Sequence, residues 1–227
     1  MNKLLRISYW NFMDNLVGNF NQIFPDCAST KFIGGCSIKE PDNINTNKFQ
    51  EIKLNSFDGF QFPHDLAGKT SSFPQIANHN GVLLKDCDGI VLFEKGGQKY
   101  ILFCELKSSY ILEDIAKAKD QLVGSFVKFK GLLSCIQGYK QDDYKPIGII
   151  VSFEPTQEQL TNISKKLGTD RRSSFALTLN SKRFYSMPAD KCNHYFCPLA
   201  VGNFDIYYIA VPSRKTSFSI DINSIIK

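Results

Sequence analysis

The sequence has 227 residues, of which 43% are hydrophobic and 22% are charged, and this predicts one compact domain with ample apolar material for a core. A formal net charge of +5 permits binding to nucleic acid but does not require it. The absence of any run of about 18 apolar residues argues against a membrane-spanning helix.

Seven cysteines are scattered along the chain, and several stand in apolar runs, as Cys104 does. An odd number with this placement indicates buried free thiols in a reducing compartment and argues against a disulfide framework. The N-terminal segment contains Asn11 and Asp14 and is too polar for a secretory signal. We therefore expect a cytoplasmic protein.

The first third of the chain contains one predicted helix and one predicted strand. Apolar residues at helical spacing predict a helix over residues 8–24. Residues 25–48 are rich in Pro, Gly, Asn and Asp, which predicts a loop. Residues 49–57 alternate in polarity and are predicted to form a strand. Residues 60–80 contain prolines, histidines and a Thr-Ser-Ser run, and we expect a long surface loop there.

The middle of the chain predicts a β-hairpin. Residues 90–93 and 100–104 are two β-prone runs, and Gly96-Gly97 lies between them. A Gly-Gly pair accepts the positive φ angles that a two-residue type I′ turn requires. The resulting register places Ile90 opposite Phe103.

Helices and strands alternate after the hairpin. Apolar steps of three and four residues predict a helix from about Leu112 to Ile136. Residues 146–152 are predicted to form a buried strand. Thr156 and Gln159 have the spacing of a capping box, which predicts a short helix ending at Gly168. Three more strands are predicted over residues 175–179, 206–211 and 218–222.

This order of elements predicts an α/β fold with a mixed central sheet and helices packed against it. We expect a single domain over residues 1–227, with its core at about 49–167. An N-terminal helix and a C-terminal β-rich extension over about 173–227 complete the expected domain.

The hairpin register, carried two residues further, places Asp88 opposite Glu105, with Cβ atoms about 5 Å apart. Lys107 lies two residues beyond Glu105 and therefore shares its face. Two facing carboxylates repel each other, and a cation that prefers oxygen ligands, Mg²⁺ or Mn²⁺, relieves that repulsion. Such a metal activates water and stabilises charge on a phosphate, while the lysine can orient the attacking water.

The segments Cys87-Asp88-Gly89-Ile90-Val91 and Phe103-Cys104-Glu105-Leu106-Lys107 resemble the PD-(D/E)XK nuclease superfamily, which includes restriction endonucleases and RecB-like nucleases. The resemblance covers roughly residues 85–152. It implies a restriction-endonuclease-like α/β/α core, in which the hairpin carries the active site, and Mg²⁺-dependent hydrolysis of phosphodiesters.

The resemblance also implies roles for individual residues. Asp88 and Glu105 would bind the metal, the backbone carbonyl of Leu106 would complete the site, and Lys107 would be catalytic. Many RecB-like members carry a further glutamine in the helix after the lysine strand, where Gln121 stands. The acid that the superfamily often has in its first helix has no clear counterpart, and Asp14 is the candidate that remains.

Each assignment has a plainer alternative. The acid-x-Lys pattern occurs three times, at residues 51–53, 105–107 and 143–145, but only the second ends an apolar strand and faces an aspartate. The alternative there is a surface cluster of ion pairs. Gln121 shares a helical stripe with Lys117, Ser125 and Lys128, and this stripe could be a solvated face. Asp86 could help to bind a second metal or could simply begin the strand.

Basic residues outside this centre could hold phosphates, with the neighbouring aromatics Phe184 and Tyr185 stacking on bases. The nucleic-acid-binding candidates are Lys117, Lys128, Arg171, Arg172, Lys182 and Arg183, and Arg214-Lys215 is a further basic pair. Each of these could equally be a solvated surface residue. The run from Cys192 to Cys197, with His194, matches no common zinc pattern. His64 and His79 are expected to be loop residues.

We therefore expect a Mg²⁺- or Mn²⁺-dependent nuclease that acts on nucleic acid, with DNA favoured and no membrane partner. A role in restriction or anti-phage defence follows from family analogy alone. Homodimer formation is left open. The alternative is a nuclease-like fold that is catalytically silent or activated by a partner and serves as a binding or scaffold module.

Overall fold

The computed structural model describes residues 3–40, 48–64, 66, 85–188, 203–212 and 215–226, and residues 3–12 by their backbone alone. The helices are α1 (Lys3–Ile23), α2 (Leu112–Leu133), α3 (Gln157–Lys165), α4 (Arg171–Lys182) and α5 (Ile222–Ile225). The strands are β1 (Thr30–Phe32), β2 (Gly35–Lys39), β3 (Glu51–Asn55), β4 (Gly59–Phe62), β5 (Gly89–Lys95), β6 (Gln98–Lys107), β7 (Tyr144–Phe153), β8 (Phe184–Pro188), β9 (Asn203–Val211) and β10 (Ser217–Asp221). Short 3₁₀ turns lie at Pro25–Cys27 and Gln141–Asp143.

The strands form two sheets. The larger sheet has seven strands in the order β1-β4-β5-β6-β7-β9-β8, and the smaller has three in the order β10-β3-β2. Strands β6, β7 and β9 run parallel, whereas β5 and β8 run antiparallel to their neighbours. The expected α/β class with a mixed central sheet is therefore confirmed. Among the described residues, no helix has both the length and the apolar character needed to cross a bilayer.

The larger sheet is covered on both faces. One face packs against α1, α2 and α4 around an aromatic cluster, in which the rings of Phe62 and Phe129 lie 4.8 Å apart. The other face packs against the smaller sheet and α5. In the described part of the chain the second covering layer is thus mainly β-sheet, which differs from the α/β/α layering that the family resemblance implied.

The long elements predicted from periodicity are confirmed. Helix α1 covers the predicted helix at 8–24, α2 matches the predicted helix after the hairpin, and β3, β7, β9 and β10 match four predicted strands. The capping box is present: the Thr156 hydroxyl accepts from the backbone N–H of Gln159, and the Gln159 side chain accepts from the N–H of Thr156.

Two predictions were wrong, and a third was wrong at its start. Residues 175–179 are helical because Asp170 caps α4 and because Phe175, Ala176 and Leu179 are buried at helical spacing. Residues 25–48 contain β1 and β2, since Cys36 and Ile38 alternate into the core. The predicted loop at 60–80 begins with the end of β4, which pairs with β5, and its remainder lies mostly outside the described residues. Because residues 175–179 are helical, the expected β-rich extension over about 173–227 begins within helix α4.

Candidate active site

The hairpin of β5 and β6 has the predicted turn and register. Gly96 and Gly97 adopt φ angles of +61° and +83°, as a type I′ turn requires. Ile90 pairs with Phe103, and the last pair towards the site is Gly89 with Cys104. Asp88 precedes this pair, and its Oδ2 accepts a hydrogen bond of 2.6 Å from the backbone N–H of Leu106. The hairpin therefore holds Asp88 beside the end of β6.

Glu105 has a buried carboxylate, and only one of its two oxygens is paired. Its side chain is 1% exposed, and its Oε1 atom is paired with the ammonium of Lys107. Its Oε2 atom is buried and has no hydrogen-bond partner. Burial, with the charge of Asp88, raises the pKa of Glu105 to about 8, despite the opposing effect of Lys107. A buried carboxylate oxygen without a partner is costly, and a bound water or cation would relieve that cost.

Asp88 faces a mixed electrostatic environment. Its pKa is raised to about 6, mainly by burial, although the hydrogen bond from Leu106 and the charge of Lys107 lower it. Glu40 adds a smaller raising effect and Lys117 a smaller lowering one. Each of these side chains therefore lies within electrostatic reach of the Asp88 carboxylate.

Gln121 belongs to the site and not to a fully solvated face. Its side-chain oxygen accepts a hydrogen bond of 3.0 Å from Lys107, and its side-chain nitrogen donates one of 2.8 Å to the carbonyl of Asp86. The amide thus bridges the end of β6 and the segment that leads into β5.

The polar stripe of α2 holds that same segment at further points. The hydroxyl of Ser125 accepts from the backbone N–H of Cys87 at 2.8 Å. Lys128 donates to the carbonyl of Lys85 at 2.7 Å and forms an ion pair with Asp86. Its side chain is only 7% exposed and its ammonium is paired within the protein, which does not favour the nucleic-acid contact predicted for Lys128. Asp86, the candidate for a second metal, is thus bound by helix α2 through both its side chain and its carbonyl.

A cleft of about 630 Å³ opens in front of Asp88. Its walls include Lys39 and Glu40 at the end of β2, Gln61 in β4 and the exposed His64 just after β4. The smaller sheet comes this close because Gly89 has no side chain: a Cβ there would lie 2.7 Å from Ile38. Glu40 and His64 were not predicted as site residues. The alternation of apolar Cys36 and Ile38 with polar neighbours could have indicated strand β2, but not that its end lies beside Asp88.

Asp88 and Glu105 are the side chains of the candidate site that could hold a cation. Among the residues that the structure describes, no group of three or more His, Cys, Asp and Glu side chains is arranged to hold a metal. Asp88 and Glu105 supply two carboxylates, and Mg²⁺ is commonly bound through one or two carboxylates together with water and substrate phosphate. The partnerless Oε2 of Glu105 supports such a site. Asp14, the remaining first-helix candidate, forms an ion pair with Lys31 at 2.8 Å.

The other acid-x-Lys matches lie in different surroundings. Lys53 is exposed on the smaller sheet, 3.9 Å from Glu51. Lys145, near the start of β7, pairs with Asp205 at 2.9 Å. Among the three matches, only residues 105–107 are accompanied by an aspartate across a hairpin and by a glutamine from a helix.

The remaining nucleic-acid-binding candidates are dispersed. Lys117 is exposed on α2 near Asp88, and Arg171 is exposed at the start of α4. Arg172 is engaged by the capping residue Asp170 at 2.6 Å. Lys182 and Arg183 lie at the turn between α4 and β8. The cysteine-rich run at 192–197, with His194, lies outside the described residues, as do His79 and Arg214.

No protein-family model, no curated protein and no solved structure matches the chain.

Proposed function

We propose that this protein is a Mg²⁺- or Mn²⁺-dependent nuclease that hydrolyses phosphodiester bonds, with DNA as the favoured substrate. One observation carries the proposal: the partnerless, buried Oε2 of Glu105 lies in a cluster with Asp88 and the ammonium of Lys107. Carboxylates that can hold a metal and a lysine that can polarise water are groups that can serve metal-assisted phosphodiester hydrolysis. A restriction-endonuclease-like hairpin with its following helix, though not the full α/β/α layering, belongs to the same proposal.

Asp88 and Glu105 would hold the cation, and the carbonyl of Leu106 is the proposed additional ligand. The bound metal would supply Lewis-acid stabilisation of the charge that develops on the phosphate. The raised pKa values of Asp88 and Glu105 favour their protonated forms. Binding of the metal would therefore release protons from these two acids.

Lys107 would orient and polarise the attacking water. Gln121 supports this role because its oxygen holds the Lys107 ammonium while its amide nitrogen is anchored on Asp86. Lys117 would hold a phosphate near Asp88, because its side chain is exposed and within electrostatic reach of that carboxylate.

An assay of metal dependence tests the proposal. Plasmid, single-stranded DNA and RNA are incubated with the wild-type protein and with Asp88→Asn, in Mg²⁺, Mn²⁺ or EDTA. We expect strand cleavage by the wild type in the presence of either metal and none by the variant or in EDTA. Intact substrates at high protein concentration in Mn²⁺ would oppose catalysis and favour a binding or scaffold module.

A further inference from the structure

A second groove lies at the same end of the larger sheet as the candidate active site. It has a volume of about 670 Å³ and separates the edge strand β8 and its neighbour β9 from β10 and α5. Its lining includes Lys182, Arg183, Phe184, Tyr207, Phe218 and Ile220. This volume is within the range of about 300–1,000 Å³ that holds ligands of small-molecule size.

The strand register places the groove close to the reacting centre. Lys107 in β6 pairs with Ser152 in β7, and Ser152 pairs with Ala210 in β9, which lines the groove. Two steps across a sheet amount to roughly 10 Å. Lys107 faces helix α2, whereas Tyr207 packs on the face that the smaller sheet covers. A nucleic-acid strand held at the candidate site would therefore pass over the ends of β7 and β9 to reach the groove.

The groove combines aromatic rings with positive charge. Phe184 and Tyr207 are half-buried and lie in ring contact, with centroids 5.2 Å apart, and Phe218 is half-buried on the opposing wall. Lys182 and Arg183 are exposed at the rim. Glu154, the acid that lines the groove, lies 3.7 Å from Arg183, so its charge is partly offset. Aromatic faces beside cations bind bases and phosphates of single strands.

We propose that this groove binds an unpaired nucleobase and its adjacent phosphate, from the same strand that occupies the candidate active site. The base would lie against Phe184 and Tyr207, and Lys182 would contact the phosphate. A base within a duplex is already stacked and paired, so this subsite selects single-stranded or locally unpaired nucleic acid. The inference rests on the proposed function and names its substrate class.

Fluorescence anisotropy with a labelled single strand of about 12 nucleotides, a length within common site sizes, tests the groove. The titrations contain Ca²⁺ in place of Mg²⁺, and a denaturing gel checks that the strand stays intact. The same sequence as a duplex and unlabelled thymidine monophosphate serve as competitors. The variants are Phe184→Leu, which keeps apolar volume but removes the ring face, and Lys182→Ala.

The matched control is Tyr185→Leu. Tyr185 is half-buried in the same strand as Phe184, but its ring packs edge-on against Phe175 of α4 at 4.9 Å, which places it on the opposite face of β8. We expect Phe184→Leu to weaken single-strand binding about 10-fold, the loss of one stacked base, and Tyr185→Leu to leave it nearly unchanged. Lys182→Ala should lower the slope of log affinity against log salt by about 0.7, as for one phosphate contact. Melting curves confirm that each variant is folded.

Equal affinity of folded Phe184→Leu and wild type for the single strand would overturn the proposal, as would a duplex that competes as well as the single strand. Competition by the mononucleotide at the strand's own affinity would assign the groove to a free nucleotide and overturn the strand proposal. Because cleavage is not measured, these outcomes are separate from failure of the nuclease proposal. If the protein cleaves DNA but binds the single strand independently of Phe184, only the proposal about the groove is refuted.

Discussion

The ammonium of Lys107 and the side-chain oxygen of Gln121 are joined by a hydrogen bond of 3.0 Å that links the end of β6 to helix α2. The same glutamine donates to the carbonyl of Asp86 at 2.8 Å. Since Lys107 also pairs with Glu105, its ammonium is held from two sides. These two contacts fix the position of the Lys107 ammonium beside the two carboxylates before any substrate binds.

The first prediction concerns that bridge. Gln121→Leu removes the acceptor for Lys107 while keeping a similar volume, so cleavage should fall by about 10- to 100-fold, as for other residues that orient a catalytic group. Metal affinity should change little, because both carboxylates remain. Initial rates and calorimetric Mn²⁺ titration measure the two effects. Lys130→Ala on the same helix is the control, and unchanged cleavage by folded Gln121→Leu would show that Gln121 is only structural.

The second prediction separates the lysine from the acids. Asp88→Asn should abolish both metal binding and cleavage. Lys107→Met removes a cation from beside the carboxylates, so the metal should bind at least as tightly, while cleavage falls about 10²-fold or more. Calorimetry beside a cleavage time course measures both.

Two other acid-x-Lys matches provide controls for that experiment. Lys53→Ala should retain activity because Lys53 is exposed on the smaller sheet. Lys145→Ala should also retain it, since the partner of Lys145 is Asp205. Loss of cleavage in Lys53→Ala with full cleavage in Lys107→Met would show that the active centre lies elsewhere in the protein.

Local signals made the hairpin and its site predictable. A Gly-Gly turn determines the register of both strands, and that register brings Asp88 to the end of β6 beside Glu105. The helical period then places one stripe of α2 against the same point, where Gln121, proposed from the family resemblance, accepts a hydrogen bond from Lys107.

Non-local pairing made the rest of the site unpredictable. Strand β3 pairs in parallel with β10, and Glu51 is matched with Ser217, a residue far along the chain. No short segment carries that information, so the smaller sheet and the position of Glu40 were missed. In residues 175–179 the apolar residues fit both a strand period and a helix period, and the cap at Asp170 decides for the helix.

The third prediction concerns pH and stability without metal. The folded-state pKa of Glu105 is raised from 4.5 to about 8, so the folded protein retains a proton that the unfolded chain has lost. The free energy of unfolding should therefore fall as pH rises from about 4.5 to 8. Glu105→Gln should remove much of this slope and stabilise the protein at pH 8 by a few kcal/mol. Urea unfolding in EDTA at several pH values measures this, and a steeper slope in the variant would contradict it.

The fourth prediction concerns pH and metal affinity. Metal binding requires both acids to be ionised, and their pKa values are raised to about 6 for Asp88 and about 8 for Glu105. Mn²⁺ affinity should therefore increase as pH rises from 6 to 8 and level off above that range. Calorimetry in buffers of different ionisation enthalpy should detect protons released on binding. An affinity that is constant from pH 6 to pH 8 would show that these carboxylates do not hold the metal.

The last prediction distinguishes two lysines on one helix stripe. Lys128 is 7% exposed and bound to Asp86 and to the carbonyl of Lys85, so Lys128→Met should lower the free energy of unfolding by about 1–3 kcal/mol. Lys117 is exposed, and Lys117→Ala should leave stability nearly unchanged but weaken nucleic-acid binding and reduce its salt dependence. Chemical denaturation and salt-dependent anisotropy on both variants measure the two effects. If Lys128→Met kept full stability and lost binding, Lys128 would be a nucleic-acid contact after all, and the ion pair with Asp86 would be dispensable to the fold.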